Sequence, residues 1–534
     1  MTISFVERLE HGEPVAVATA VAIIALLYIV PKLASSGKRE PGLPPGPKTI
    51  PVLGNLHQMP LEHAHFQMTK WAKEYGPIFS LKLGNATMVV LTGASEVKEL
   101  MDRRSATTSD RPPLHVANEL ITNGKHLLAM GYSARWRLVR KILHQYLTIR
   151  MCEEKHQFVQ SAESTQMIWD VLNKPDDYYN RVRRYSTGVI LSIVYGRRGP
   201  TWEGPVSDIY SVMDPWSEIV ETGATPPVDI FPFFKKLPDF VSPWRKKALR
   251  VRQMELDLYG RMAQEVRDRR AKGINRGSLM DQVLDSQASG ADPLLDDEQI
   301  AYVGGVLLEG GSDTTSSLTL SFILACCAFP EVLKKAQQEV DRVCGRDRMP
   351  DFDDFENLPY IRMCVKETQR WRPVVVMSFP HCTTKDESFR NYVLPKGTTL
   401  LCNTWGLHHD PERFPEPNKF MPERYKDFPL SAPEYAAMAG DDVRDHYGYG
   451  SGRRICVGLH IAERSMYLNI ARLCWAFNIT EDPAHPVNID NYSPGFLIAP
   501  KAFKCKIVPR DDKVRSVVAS ELETAGSVFR EYED

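Results

Sequence analysis

Residues 449–458 read Tyr449-Gly450-Ser451-Gly452-Arg453-Arg454-Ile455-Cys456-Val457-Gly458. Three glycines and two arginines crowd one thiol, and a helical pattern over 457–476 begins just after it. A thiol at a helix N-terminus beside arginine is expected to ionise readily, because the helix dipole and the guanidinium both favour the thiolate. Glycines let backbone amides approach the sulfur and let a flat ligand lie close. A structural buried cysteine needs none of this. The residues point to a permanent thiolate ligand or nucleophile, with a redox cysteine as the competing reading.

Other clusters lie N-terminal to this loop. In Glu367-Thr368-Gln369-Arg370, acid and base three apart share a helix face. At a surface such a pair is worth little. Phe420-Met421-Pro422-Glu423-Arg424-Tyr425 follows. A long helical pattern over 296–328 starts with Asp296 as N-cap and Gln299 as its capping partner, and would run about 50 Å. Inside it, Gly310-Gly311 costs about 1 kcal/mol per residue relative to alanine. Either something flat approaches there, or a neighbouring helix packs tightly. Asp313 and Thr314 add an acid and a hydroxyl. In Trp136-Arg137-Leu138-Val139-Arg140, indole and guanidinium stand one turn apart, able to face one carboxylate.

The pattern aromatic-x-x-Gly-x-Arg-x-Cys-x-Gly is met by Tyr449, Gly452, Arg454, Cys456 and Gly458. With the clusters above at their spacing, it resembles the cytochrome P-450 family of haem-thiolate monooxygenases, in its fungal microsomal type. The similarity runs from about Pro41 to Pro509. One departure is Tyr449, where the family usually has phenylalanine; a buried phenol needs a partner.

The resemblance implies a mainly α fold with small β-sheets and haem b as cofactor, with Cys456 as the axial ligand of the iron. Gly452, Gly458, Gly310 and Gly311 would lie against the cofactor. Trp136, Arg140, His381 and Arg454 would meet its propionates. Glu367, Arg370 and Arg424 would form a buried structural triad. Asp313 and Thr314 would supply protons as O2 is cleaved. The implied activity inserts one oxygen atom of O2 into a small hydrophobic substrate, here an aromatic polyketide secondary metabolite. Two other readings stay open: a haem-thiolate isomerase or dehydratase acting on a peroxide, and a non-catalytic membrane haem-binding protein. The Asp313-Thr314 pair argues for the monooxygenase.

Too few residues follow Cys456 for a flavin or nicotinamide domain, so electrons are expected from NADPH through a separate protein. The resemblance implies NADPH–cytochrome P-450 reductase, with cytochrome b5 as a second donor. Arg135, Arg137, Lys141 and Arg453 are candidates for the docking patch, against the alternative of plain solvated charge.

Residues 1–33 are expected to be a signal-anchor transmembrane helix. Val15 to Val30 read VAVATAVAIIALLYIV, about 24 Å of helix against roughly 30 Å of hydrocarbon. Extension to Leu33 with Lys32 snorkelling closes the gap. Glu7, Glu10 and Glu13 argue against a cleaved signal peptide. Lys32, Lys38 and Arg39 place the body on the cytoplasmic side of the endoplasmic reticulum as a single-pass protein. Residues 34–50 contain Pro41-Gly42-Leu43-Pro44-Pro45-Gly46-Pro47, expected to be a stiff hinge. Residues 51–510 read as one haem-binding monooxygenase domain, and 511–534 as a peripheral charged tail.

Within the body, strands are expected over Ile78 to Leu83 and Thr87 to Leu91 around a Gly84-Asn85 turn. Helices are expected over 151–172, 250–270, 296–328, 331–343, 360–371 and 457–476. Strand-like pieces return at Thr399 to Leu401 and Phe496 to Pro509. Substrate contacts are expected from 111–128, 210–235, 303–308, 374–379 and 493–497, mostly apolar. The segment 226–240 reads either as an interfacial loop or as a satellite core cluster.

Composition narrows the alternatives. Among 534 residues, 66 Lys+Arg balance 67 Asp+Glu, leaving no basic field for nucleic acid. A mean hydropathy of −0.30 excludes a polytopic membrane protein. Ten cysteines lack the paired spacing of a zinc site or disulfide framework.

Overall fold

The computed structural model describes residues 18–25, 27–28, 36–221, 223–290 and 293–533. Its main helices are α1 (Ala64–Tyr75), α2 (Ala134–Tyr146), α3 (Gln157–Asn173), α4 (Tyr178–Tyr195), α5 (Pro205–Val220), α6 (Pro243–Ala271), α7 (Leu279–Ala288), α8 (Asp297–Ala328), α9 (Pro330–Cys344), α10 (Pro359–Trp371), α11 (Leu459–Ala476) and α12 (Lys513–Arg530). Strands β1 (Ile78–Leu83), β2 (Ala86–Leu91), β3 (His381–Cys382) and β4 (Thr399–Cys402) form one sheet in the order β1-β2-β4-β3. β1 and β2 are an antiparallel hairpin, β2 runs parallel to β4 with Met88 opposite Thr399, and β3 pairs antiparallel to β4. β5 (Phe477–Glu481) and β6 (Cys505–Pro509) make a separate ladder. Of the strand-like region expected over 496–509, only 505–509 joins a regular strand.

Helix α8 is the spine. The Asp296 carboxylate accepts from the Gln299 amide at 2.8 Å, the N-cap that the sequence predicts, but the Gln299 side chain does not close a capping box and donates to Lys125 O at 3.1 Å instead. Its length, about 48 Å, is buried almost throughout against α4, α6 and α11. Helix α4 was not expected. It is buried on nearly every side, so its sequence carries no amphipathic stripe to detect.

Three expectations change. Among the described residues no single helix is long and apolar enough to cross a membrane. Residues 18–25 and 27–28 are helical, but 1–17, 26 and 29–35 lie outside the described residues, so the anchor is not shown. The proline run, expected to be a stiff hinge, is fastened along β1. Ser80 donates its amide to Pro45 O at 2.7 Å and its hydroxyl to Pro44 O at 2.6 Å, and Arg39 donates to Pro47 O and Ser80 O. The charged tail is a docked helix: α12 lies on α3 and buries Val514, Val518, Ala525 and Phe529.

Candidate functional site

The loop before α11 is held from several sides. The Gly452 amide donates to Asp102 Oδ1 at 2.6 Å, with φ at +62°. A Cβ there would lie 1.9 Å from Met101 O, so no other residue fits without moving the loop. Gly452→Ala is therefore expected to lower both stability and haem retention, measured by thermal unfolding and by haem content per chain. Buried Arg444, which sequence reasoning missed, donates to Ser451 Oγ at 2.9 Å, Gly450 O at 2.5 Å and His446 O at 3.1 Å. The Cys456 amide donates to Tyr449 O at 2.8 Å.

Cys456 lies deep in the fold, yet its side chain is exposed because it faces a cavity. Burial pushes its thiol pKa up, against the Gly458 amide and Arg140, which favour the thiolate. The expected lowering is thus not produced by the polypeptide alone: desolvation outweighs the helix terminus and the arginine. A bound metal ion reverses this, since a coordinating thiol is deprotonated outright. Gly458 leaves open space where a Cβ would stand. Of the other nine cysteines, eight are buried and Cys505 is half-buried.

A cationic rim lies beside the loop. Arg454 donates to Ser109 O at 2.8 Å, Leu127 O at 3.2 Å and Met130 O at 2.7 Å. Its guanidinium lies 4.5 Å from the Trp136 ring centroid. Burial brings its pKa down to about 10, with Asp110 opposing. Arg140 donates to Ile455 O at 2.5 Å and is lowered by burial, with Cys456 opposing. His381 donates Nδ1–H to Thr108 O at 3.0 Å, and burial followed by Arg111 and Arg454 holds it well below its usual range. Arg111, buried, donates to Leu128 O, Phe379 O and Pro380 O; burial and then Arg454 push its pKa down. The sequence placed Arg111 in a pocket segment but gave it no role. Trp136 Nε1–H is buried without a partner. An orphaned donor beside crowded, mutually destabilised cations fits a carboxylated ligand.

Helix α8 faces the same cavity. Gly310 and Thr314 line it together with Cys456 and Gly458. A Cβ on Gly310 would meet nothing within 4 Å, whereas one on Gly311 would lie 2.3 Å from Ile190 Cγ1 of α4. Gly310 thus opens the cavity, while Gly311 is needed for helix–helix approach, the second of the two readings given above. Thr314 Oγ1 donates to Gly310 O at 2.7 Å. Burial raises the Asp313 carboxyl pKa, Arg183 opposes at 3.6 Å, and Asp214 adds to the rise. The sequence had no signal for Arg183, which lies on a different helix.

The sequence matches the family model "Cytochrome P450" (here written P-450) over residues 44–507. The chain belongs to the cytochrome P-450 family. It is 44% identical over 520 residues to cytochrome P-450 monooxygenase atE of Aspergillus terreus, covering 96% of each chain. It is 44% identical over 522 residues to acuD of Aspergillus aculeatus, covering 97% of this chain and 98% of the relative. It is 43% identical over 514 residues to patI of Aspergillus clavatus, covering 95% and 96%. All three are named monooxygenases, and this protein is accordingly a P-450 monooxygenase, an oxidoreductase, rather than a peroxide isomerase or a non-catalytic haem binder.

In this P-450 the three charged residues of the expected triad come together. Arg370 is bidentate to Glu367, Nε at 2.7 Å and Nη2 at 2.8 Å, and neither side chain is exposed. Arg424 Nε stands 3.4 Å from Glu367 Oε1, which also accepts from the Met421 amide at 2.8 Å. Arg370 further donates to His408 O and Pro417 O. The surface-pair alternative fails on burial. Tyr449 is enclosed beside His446, ring centroids 5.4 Å apart, and burial pushes its phenol well above its ordinary range.

Proposed function

We propose that this monooxygenase hydroxylates a small, hydrophobic aromatic or polyketide-derived secondary metabolite in a fungus. The observation that carries the reading is the shared cavity: Cys456, Gly310 and Thr314 face one space beside a cationic rim. The residues present fit haem b: Cys456 would hold its iron, and Trp136, Arg140, Arg454, His381 and Arg111 would meet its carboxylates. Bound there, haem would supply the redox chemistry of O2 activation.

The chain's own residues bind, orient and move protons. Gly310 lets the flat group lie close to α8. Thr314 lines the cavity with its hydroxyl on Gly310 O, and Asp313, next to it in the chain but turned to Arg183, is the acid whose proton affinity burial raises; the two would serve as the proton donors. Replacing Thr314 by alanine is expected to cut product formed per NADPH several-fold and to release peroxide instead. Unchanged coupling would remove Thr314 from the relay. Phe379 and Phe496, with ring centroids 5.4 Å apart, join the expected substrate segments 374–379 and 493–497.

Electrons come from NADPH through the membrane-bound reductase, with cytochrome b5 as a second donor. Arg137, Lys141 and Arg453 are exposed beside the Cys456 loop, while Arg135 is half-buried. Arg137 and Arg453 both lie over the Tyr132 ring. That basic patch suits an acidic flavoprotein. The site of action is the endoplasmic reticulum membrane, single-pass, with the catalytic domain in the cytoplasm. Its support is the apolar run Val15 to Val30, and the exposed Phe233 and Phe240 of the 226–240 region. Val228, in contrast, belongs to a buried cluster with Trp216 and Trp244. Turnover that needs NADPH, reductase and O2 supports the function; turnover of a hydroperoxide alone contradicts it.

A further inference from the structure

Away from the haem cavity, two cysteines on different elements meet. Cys327 lies at the C-terminal end of α8 and is buried, whereas Cys505 opens β6 and is half-buried. The Cys327 S–H donates to Cys505 Sγ. The Tyr178 hydroxyl, at the start of α4, stands against the same sulfur while donating to Phe503 O at 2.7 Å. Hydrogen bonds to a sulfur favour its thiolate. The Cys327 bond lowers the Cys505 thiol pKa, burial opposes, and Tyr178 adds to the lowering. The same bond, and then burial, push Cys327 up. Every remaining cysteine is pushed up by burial. Lys504 and Lys506 flank Cys505 and are exposed, and Glu481 lies opposite it across the ladder.

We propose that Cys505 and Cys327 are a redox pair: Cys505 attacks a small anionic disulfide, glutathione disulfide, and Cys327 resolves the product into a bond between β6 and α8. In the first step the Cys505 sulfur bonds to one sulfur of the reagent, the reagent's sulfur–sulfur bond breaks, and one glutathione leaves with the Cys505 proton. In the second, the Cys327 sulfur bonds to Cys505 Sγ, and the other glutathione leaves with the Cys327 proton. Two protein thiols are oxidised and one glutathione disulfide is reduced to two thiols. The roles follow from the site. Cys505 is the more exposed sulfur and the better thiolate, while Cys327 is too enclosed to meet a tripeptide and lies one hydrogen bond from Cys505. Lys504 and Lys506 attract the carboxylates of glutathione. In a reducing compartment a pair of this kind cycles rather than staying joined. The bond ties the end of the α8 spine to the β5–β6 ladder, roughly three and a half turns along α8 from Thr314. The inference goes beyond the proposed function and does not depend on it.

The test places the haem-loaded full chain, without denaturant, in glutathione buffers of rising disulfide fraction. Free thiols are then trapped in acid and alkylated, and the digested chain is read by mass spectrometry. The wild type should give a peptide pair joined through Cys327 and Cys505 that excess reduced glutathione separates again. Cys505 should be consumed about ten-fold or more faster than the buried Cys152 and Cys344. Cys327→Ser should stop at Cys505 carrying one glutathione, which also distinguishes Cys327 from its neighbour Cys326. Cys505→Ser should leave Cys327 a free thiol. Haem content and unfolding midpoint show that each variant is folded, and the wild-type result is readable whatever the variants do. Three wild-type results overturn the proposal: glutathione resting on Cys505 with no link to Cys327, a link formed only after denaturant is added, or a Cys505 thiol still free in fully oxidised glutathione.

Discussion

Replacing Cys456 by alanine is expected to reduce monooxygenation by about three orders of magnitude or more, some 4 kcal/mol of barrier, with little change in fold stability. The side chain faces a cavity rather than packed core, so removing its sulfur leaves no new hole. The loop keeps its other ties: the Cys456 amide to Tyr449 O, Gly452 to Asp102, and the three Arg444 bonds. What would be lost, on the reading proposed above, is the thiolate that would hold the haem iron. Product formation with reductase present, read against denaturant unfolding of the same variant, separates the two effects. A variant that keeps activity would show that Cys456 is not the ligand. A variant that fails to fold would show that the loop depends on its sulfur.

The largest stability effect is expected at Glu367. Its carboxylate is fully buried and holds Arg370 in two bonds, with Arg424 close by. Glu367→Ala leaves the Arg370 guanidinium in the dry interior without its counter-charge, at a cost of about 3–5 kcal/mol. The double replacement of Glu367 and Arg370 by methionine should cost less than the single one, because the fully buried Arg370 charge is gone and only the more accessible Arg424 loses its partner. Denaturant unfolding followed by haem absorbance measures both. A loss below about 1 kcal/mol for Glu367→Ala would be that of a surface pair.

Much of the site was legible because its signals are local. The Cys456 loop, the Asp296 cap, the Gly310–Thr314 run and the β1–β2 hairpin each lie within a few consecutive residues. What was missed depends on contacts between distant segments. Gly310 and Gly311 are adjacent and chemically identical in the sequence; only the position of Ile190 on α4 separates their roles. Arg111 belongs to the cationic rim because Arg454 and His381 fold onto it. The thiol pKa of Cys456 was expected to fall on the strength of its neighbours, and burial, which no short motif encodes, reversed the sign. Helix α5 carries Pro215 in its interior, a residue that ordinarily ends a helix. The α12 helix reads as a charged tail because its apolar residues are interspersed with charged and polar ones, and the burial of Val514, Val518, Ala525 and Phe529 depends on α3.

The central claim is that this chain, with Cys456 as the residue that would hold haem in this cavity, inserts one atom of O2 into a small hydrophobic molecule. The most direct measurement is isotopic: the purified holoprotein, NADPH, the reductase and isotopically heavy dioxygen, with the tightest-binding phenolic as substrate. The account predicts product carrying one heavy oxygen atom from O2 and none from labelled water, and no product without NADPH or reductase. Product formed from a hydroperoxide in the absence of both, with no atom taken from O2, would contradict it.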